Sequence, residues 1–301
     1  MEANGRRRKR RWVAASVGCL GLILAAGFLL KGCAAMGPPK PEQITDAFRG
    51  KLAPRPLEWT FEGRPVHAME VGDTSLPLVV FVHGTPGDWS AFMGYLADPE
   101  LQRAAHMISV DRLGFGESAA GGIEPSLAKQ AGALAPLFDR DGSERGAILV
   151  GHSLGGPVVG RMAMDFPARV AGLIIVAGSC DPELEKRTWY QRAGMSPLVR
   201  WMVPDELDKA NVEMIPLKGE LEAMVPRWAE IRVPVTVIQG GKDNLVPPAN
   251  ADFLGRVLTH APVTMVRPPE ANHFLVWERP ELIRGAVLNQ LAHLSDPTPA
   301  P

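Results

Sequence analysis

A serine between two glycines is the first place where this sequence could do chemistry. Gly151-His152-Ser153-Leu154-Gly155 follows the apolar run Ala147–Val150 and precedes a helical pattern. A strand–turn–helix of this kind is so tight that a side chain in place of either flanking glycine would strike neighbouring backbone. The turn holds the serine hydroxyl above the sheet edge, and the first N–H groups of the helix favour an anion there. Ser153 is therefore a candidate nucleophile.

Alternating strand and helix patterns surround this motif. Apolar runs of about four to eight residues indicate strands that are covered on both faces, as in a parallel sheet. The predicted strands are a leading hairpin of Leu57–Phe61 and Val66–Val71, followed by Leu78–Val82, Met107–Val110, Ala147–Val150, Val170–Ala177, Val233–Ile238 and Val263–Val266. The predicted helices are Ser126–Phe138, Leu154–Phe166 and Ala249–Leu258. This alternation predicts an α/β fold with a mostly parallel sheet flanked by helices.

A long segment, residues 181–231, separates two of these strands. A simple crossover between parallel strands needs far fewer residues, so we interpret this segment as a small helical cap insertion over the end of the sheet. Its large apolar side chains are Trp189, Tyr190, Met195, Trp201, Met202, Met214, Met224 and Trp228. Most of them are expected to pack the insertion onto the core, and the rest favour a hydrophobic substrate.

Four motifs in order resemble those of serine hydrolases of the α/β-hydrolase fold, over roughly residues 56–293. They are His83-Gly84-Thr85-Pro86-Gly87, the segment Asp111–Ser118, the glycine-flanked Ser153, and the pair Gly241–Pro247 with Asn272-His273-Phe274. The resemblance implies the α/β-hydrolase sheet and a two-step acyl transfer through a serine, a histidine and an acid.

The resemblance also implies which residues complete the catalytic group. A serine hydroxyl needs an adjacent base, and His273 stands at the family's base position. Asp243 stands where the family places the acid that orients the histidine. Asp181 is the alternative acid, because some relatives take it from the end of the preceding strand. Otherwise Asp181 is typical of a helix cap, with Pro182 at the first helical position.

An oxyanion needs hydrogen-bond donors, and the resemblance assigns two of them by position. They are the backbone N–H groups of Thr85 and Leu154, and the Thr85 hydroxyl is a candidate third donor. We expect acyl-enzyme chemistry on a carboxylic ester or a related small or lipid-like acyl substrate. The alternatives are the same three residues serving a C–C hydrolase, an amidase or peptidase, or a perhydrolase, and a ligand-binding protein of this fold without catalysis.

Composition excludes several other classes of protein. A net charge of −1 gives no electrostatic footprint for nucleic acid, and 46% apolar residues exclude disorder as the dominant state. Three cysteines cannot build a disulfide framework or a cysteine-rich zinc site. Gly114 and Gly116 are followed by no third glycine, so they do not make a dinucleotide fingerprint. We therefore predict no metal and no cofactor, and the sequence leaves the oligomeric state open.

The first 33 residues are typical of a signal or anchor segment. An unbroken basic run, Arg6–Arg11, precedes 19 uncharged residues, Trp12–Leu30. At about 1.5 Å per residue, that stretch covers the roughly 30 Å of a bilayer core. A basic cluster before an apolar segment stays cytoplasmic, so the rest is expected outside the cytoplasm, held at a membrane. Leu30-Lys31-Gly32-Cys33 resembles a lipidation site at Cys33, and an uncleaved anchor or ordinary cleavage are the alternatives.

These observations predict four regions. Residues 1–33 form the signal or anchor segment, and the proline-rich residues 34–56 form a tether with a short helix near Ile44–Phe48. Residues 57–294 form the α/β-hydrolase domain, including the insertion at 181–231. The last residues, 295–301, are expected to be a disordered tail, because they hold three prolines.

Overall fold

The computed structural model describes residues 39–185, 196, 203 and 205–295. All eight strands of the sheet belong to one compact unit that comprises Gly37–Lys186 and Val212–Pro301. No helix within the described ranges has both the length and the apolar character needed to cross a bilayer. The predicted anchor segment 1–33 with Cys33, most of the aromatic residues of the insertion, and nearly all of the tail lie outside the described residues.

Eight strands form one sheet. They are β1 (Arg55–Phe61), β2 (Arg64–Val71), β3 (Leu78–Val82), β4 (His106–Asp111), β5 (Ala147–His152), β6 (Val170–Val176), β7 (Val235–Ile238) and β8 (Val263–Val266). Their order across the sheet is β1-β2-β4-β3-β5-β6-β7-β8. The hairpin β1–β2 is antiparallel, and β2 pairs antiparallel with β4, whereas the other six strands run parallel to one another. The prediction of a mostly parallel sheet after a leading hairpin is confirmed.

Helices pack on both faces of this sheet. They are α1 (Pro41–Ala47), α2 (Met93–Leu96), α3 (Pro99–Ala104), α4 (Leu127–Leu134), α5 (Gly155–Asp165), α6 (Asp205–Met224), α7 (Ala249–Val257), α8 (Leu275–Glu278) and α9 (Pro280–Ser295). Two separate clusters of buried apolar side chains lie on the two sides of the strands. Strands β3, β5 and β6 alternate their side chains between these clusters, which explains why their sequences are apolar at almost every position.

Six strands differ from their predicted bounds by one or two residues at an end, and for β7 and β1 the structure shows why. β7 begins at Val235 rather than Val233, because Pro234 intervenes and has no N–H to donate to a ladder. Its carbonyl oxygen still accepts a hydrogen bond from Leu173 at 2.9 Å. β1 begins at Arg55, two residues before the predicted start, where the pairing with Glu70 continues the hairpin.

The segment before β1 packs against the domain. Phe48 is buried in the core, and Ile44 on α1 lies against the same cluster. Leu52 exchanges two hydrogen bonds with the Gln102 side chain, each 3.1 Å long. This packed segment lies within residues 34–56, which the sequence analysis interprets as a tether, so the part from Pro41 to Leu52 is joined closely to the domain.

The described part of the insertion is mainly helix α6. Leu217, Leu221 and Met224 on this helix are buried in the core cluster that also holds α4 and α5. Trp228 follows in a short 3-10 helix and is buried against Gly160 of α5. These residues of the insertion pack onto the core, as the sequence analysis expects for most of its apolar side chains.

Candidate active site

Ser153 lies on the sharp turn between β5 and α5. Its φ of +54° is in the left-handed region, which non-glycine residues adopt at a cost of roughly 1–3 kcal/mol. The surrounding backbone holds this conformation, because the Ser153 N–H donates to the Val176 carbonyl and the Gly156 N–H donates to the Ser153 carbonyl, both at 2.9 Å. The turn therefore presents the serine side chain at the carboxyl edge of the sheet, ahead of a helix N-terminus.

The two glycines of the turn are required by close packing. A Cβ atom on Gly151 would collide with the carbonyl oxygen of Gly155, and one on Gly155 would collide with the carbonyl oxygen of Val82. Gly84 is a third close approach, because a Cβ there would lie 2.7 Å from the Cβ of Ser153. The loop after β3 is thus packed directly against the serine.

Asp243 and His273 form a buried hydrogen-bonded pair. The Nδ1 atom of His273 lies 2.8 Å from Oδ2 of Asp243, after β8 and β7 respectively. The other carboxylate oxygen, Oδ1, accepts the N–H groups of Leu245 at 2.9 Å and Val246 at 2.8 Å. Gln239 donates from Nε2 to Oδ2 at 3.1 Å. These donors fix the carboxylate, which in turn fixes the Nδ1–H tautomer and leaves Nε2 of His273 able to accept a proton.

The two candidate acids have different partners in the structure. Asp181 accepts a hydrogen bond from the Glu183 N–H at 3.0 Å, and its own N–H donates to Asn250 Oδ1 at 2.8 Å. Asp181 therefore ties its own turn to α7, whereas Asp243 contacts His273. Ser153 and His273 are both buried, and in the described part of the chain no hydrogen bond yet joins the serine hydroxyl to the imidazole. Such bonds often tighten only when substrate is bound.

Two backbone N–H groups are available beside the serine. Among the residues that the structure describes, the N–H groups of Thr85 and Leu154 donate to no protein acceptor. The Thr85 hydroxyl oxygen is also buried without a partner. Leu154 directly precedes the first turn of α5, and Thr85 follows the glycine that packs on Ser153. An oxyanion formed on a substrate at Ser153 would find these donors nearby.

A histidine and an arginine hold the loop that carries Thr85. His83 donates from Nδ1 to the Gly84 carbonyl at 2.7 Å, and its Nε2 accepts the Arg112 N–H at 3.1 Å. Burial and the charge of Arg112 lower the pKa of His83 well below its usual range, so this imidazole stays neutral. The Arg112 side chain donates from Nε to the His83 carbonyl at 2.9 Å and from Nη2 to the Gly84 carbonyl at 2.8 Å.

His152 supports the loop of His273. Its Nε2 donates to the His273 carbonyl at 3.1 Å, and the two rings lie 4.9 Å apart between centroids. Burial, and secondarily the charge of His273, lower the pKa of His152 to about 3. The supporting roles of His152 and Arg112 cannot be predicted from the sequence, because their partners are distant in the chain. The signals in the sequence are the position of His152 beside the nucleophile and that of Arg112 within the motif Asp111–Ser118.

Asp111, the first residue of its motif, is also structural. It accepts the Trp89 N–H at 2.7 Å and the Glu117 N–H at 3.0 Å, and it pairs with His67 Nδ1 at 2.8 Å. Within the described ranges, no three His, Cys, Asp or Glu side chains come close enough together to hold a metal ion.

Comparison with known proteins finds relatives of this chain. The chain is 37% identical over 99 residues to the dihydrolipoyllysine-residue acetyltransferase component of an acetoin cleaving system from Cupriavidus necator, a match covering 33% of the chain and 26% of that protein. It is 24% identical over 281 residues to the monoacylglycerol lipase of Rattus norvegicus, covering 79% and 80% of the two chains. The crystal structure of a membrane phospholipase A, described as a bacterial virulence factor, superposes with a TM-score of 0.64 at 17% identity, covering 95% of this chain and 99% of that one. Because residues 79–286 match the alpha/beta hydrolase family and the sheet order agrees, the chain belongs to that family.

Proposed function

We propose that the protein is a serine hydrolase that cleaves a carboxylic ester through an acyl-enzyme on Ser153. The observation that carries this proposal is the buried pair of Asp243 and His273 at the same sheet edge as a serine held at positive φ. The unpartnered N–H groups of Thr85 and Leu154 add support. The name of the rat relative, a monoacylglycerol lipase, agrees with an ester substrate.

In the first half of the reaction, Ser153 Oγ adds to the carbonyl carbon of the ester. The hydroxyl proton passes to Nε2 of His273, and the carboxylate of Asp243 stabilises the imidazolium that forms. The carbonyl oxygen becomes an oxyanion and accepts hydrogen bonds from the N–H groups of Thr85 and Leu154. When the tetrahedral intermediate collapses, the C–O bond to the alcohol breaks, and His273 returns the proton to the departing oxygen.

In the second half, water replaces the alcohol. His273 takes a proton from the water, whose oxygen adds to the acyl carbon, and the same two N–H groups hold the second oxyanion. The bond to Ser153 then breaks, the serine regains its proton from His273, and the carboxylic acid leaves. One histidine thus acts as base and acid in turn.

The surroundings of His273 favour a substrate with a large apolar part. Phe274 and Trp277 are 46% and 53% exposed, and their rings lie 6.0 Å apart. The Trp277 ring also meets the His152 ring edge-on at 5.5 Å, which places it beside the catalytic histidine loop. Leu245, two residues after Asp243, is 66% exposed. Exposed apolar side chains grouped beside a site mark a surface for an apolar ligand, and we propose a lipid-like ester.

We also propose that the N-terminal segment holds this domain at a membrane, on the side away from the cytoplasm. The basic run and the apolar stretch of residues 6–30 support the orientation, and Cys33 is the candidate lipidation site. Growth of the producing cells with a labelled fatty acid tests the lipidation of Cys33. Label should enter the wild-type protein and not the variant Cys33→Ser, and equal labelling of both would refute lipidation at that residue.

Reaction with a fluorophosphonate tests the proposed function directly. The full-length protein should be labelled at Ser153, as located by mass spectrometry, because only an activated serine displaces the fluoride. The variant Ser153→Ala should take up no label and hydrolyse no ester, while its unfolding midpoint stays close to that of the wild type. Labelling at another residue, or ester hydrolysis by Ser153→Ala, would refute the assignment.

A further inference from the structure

The buried face of helix α6 carries an acid that the proposed mechanism does not use. Glu213 is 1% exposed, and it is held by Arg112, which is fully buried. Both guanidinium Nη atoms bind this carboxylate, Nη1 to Oε1 and Nη2 to Oε2, the latter at 3.1 Å. This two-point contact fixes the plane of the guanidinium as well as its position.

The same guanidinium holds the loop beside the nucleophile. While Glu213 occupies one edge, Nε binds the His83 carbonyl at 2.9 Å and Nη2 also binds the Gly84 carbonyl at 2.8 Å. The next residue is Thr85, whose N–H is the proposed oxyanion donor. The Phe115 ring lies 4.9 Å below the guanidinium carbon and restricts it from a further side.

We propose that Glu213 is a positioning residue that sets the oxyanion donor of Thr85 through Arg112. This inference rests on the proposed function and deepens it. Without the carboxylate, Arg112 loses the partner that fixes its orientation, and the carbonyls of His83 and Gly84 lose a rigid donor. A shift of about 1 Å at a catalytic group can cost on the order of 10² in rate, so the effect falls on catalysis rather than on substrate binding.

A second acid on the same helix provides a matched control. Glu220 also ties α6 to the domain, because its Oε2 accepts the Leu127 N–H at 2.9 Å and the Ser126 hydroxyl at 3.3 Å. These contacts hold the start of α4 and do not touch the loop of Thr85. Glu220→Gln therefore loosens the attachment of the helix without loosening the loop.

The experiment compares ester hydrolysis by the full-length wild type, Glu213→Gln and Glu220→Gln, using p-nitrophenyl butyrate. We expect kcat of Glu213→Gln to fall by a factor of about 10 to 10², while its KM stays within about twofold of the wild-type value. Glu220→Gln should keep kcat within about twofold, even where its unfolding midpoint falls, because its contacts are structural. A folded Glu213→Gln protein whose kcat equals or exceeds the wild-type value would overturn the inference.

A second variant covers the case in which Glu213→Gln does not fold. Leaving one charge buried and unpaired is strongly destabilising, whereas replacing both partners by apolar residues is often tolerated. The double variant Arg112→Met with Glu213→Met should therefore fold and yet show the same loss of kcat. A folded double variant with wild-type kcat would contradict the inference. A wild-type protein that neither turns over nor takes up a fluorophosphonate would refute the proposed function and this role together.

Discussion

The buried neutral state of His152 predicts a specific response of stability to acid. Its folded pKa is about 3, because of burial first and the charge of His273 second, whereas an unfolded histidine titrates near about 6.5. Above about pH 6.5, His152 is neutral in both the folded and the unfolded protein, and its neutral state costs no stability. As the pH falls below it, the unfolded chain gains a proton that the folded protein does not bind, and stability is lost until the pH reaches the folded pKa. From pH 7 to pH 5.5 this linkage amounts to about 1.3 kcal/mol.

Urea unfolding at the two pH values measures this term when the wild type is compared with His152→Gln. Glutamine can still donate to the His273 carbonyl from a similar position, but it does not titrate. The loss of unfolding free energy between pH 7 and pH 5.5 should be smaller in His152→Gln by about 1.3 kcal/mol. Ser153→Ala, which removes no titratable group, should keep the wild-type loss. If the wild type and His152→Gln lose the same amount, His152 takes up a proton in the folded protein and the reasoning fails.

Two further substitutions test the site and the packing. Asp243→Asn should lower kcat by about 10⁴ with little change in folding, because the amide no longer fixes the imidazole tautomer; ester hydrolysis measures this, and a loss below tenfold would contradict the role of Asp243. Gly160→Ala should cost about 1–3 kcal/mol of unfolding free energy, because its Cβ would lie 2.5 Å from the Trp228 ring. Gly219→Ala on α6 is the control, since its Cβ meets nothing within 4 Å, and it should stabilise the protein by about 0.5–1 kcal/mol. Equal urea midpoints for the two glycine variants would show that the Trp228 ring can move away from the new methyl group without loss of unfolding free energy.

Much of the sheet could be predicted because its strands are short apolar runs. Leu78–Val82, which is buried throughout, has the predicted bounds, and so does the less buried edge strand Val263–Val266. Errors occur where a local pattern has two meanings. The proline-rich approach to the domain is typical of a flexible segment, yet Phe48 within it is buried. The spacing of Ile44 and Phe48 indicates a short helix, but so few apolar residues do not indicate whether that helix packs on the domain.

In the candidate site, the proposed catalytic residues could be predicted from the sequence, whereas the contacts that support them could not. Ser153, Asp243 and His273 stand in short motifs that follow strands, so the ends of a parallel sheet bring them to one edge. The side chains that support them give no sign of their partners in the sequence, even where, like Arg112 and His152, they stand within these motifs. Arg112 and Glu213 are 101 residues apart, and nothing in either neighbourhood indicates the other. An acid on a helix with many exposed charges is ordinarily interpreted as a solvated one, and only the packing of α6 shows that Glu213 is buried.

The placement of the candidate residues after β3, β5, β7 and β8 has a consequence for how the chain folds. These strands come from four separate stretches of sequence, and Ser153 and His273 are 120 positions apart in the chain. Contacts of this kind raise the contact order, because long loops must close before the contacts can form. The site is complete only when β8, at the far edge of the sheet, has paired with β7. Recovery of activity on refolding must then lag behind the recovery of helical signal, and the two measured together give the order of assembly.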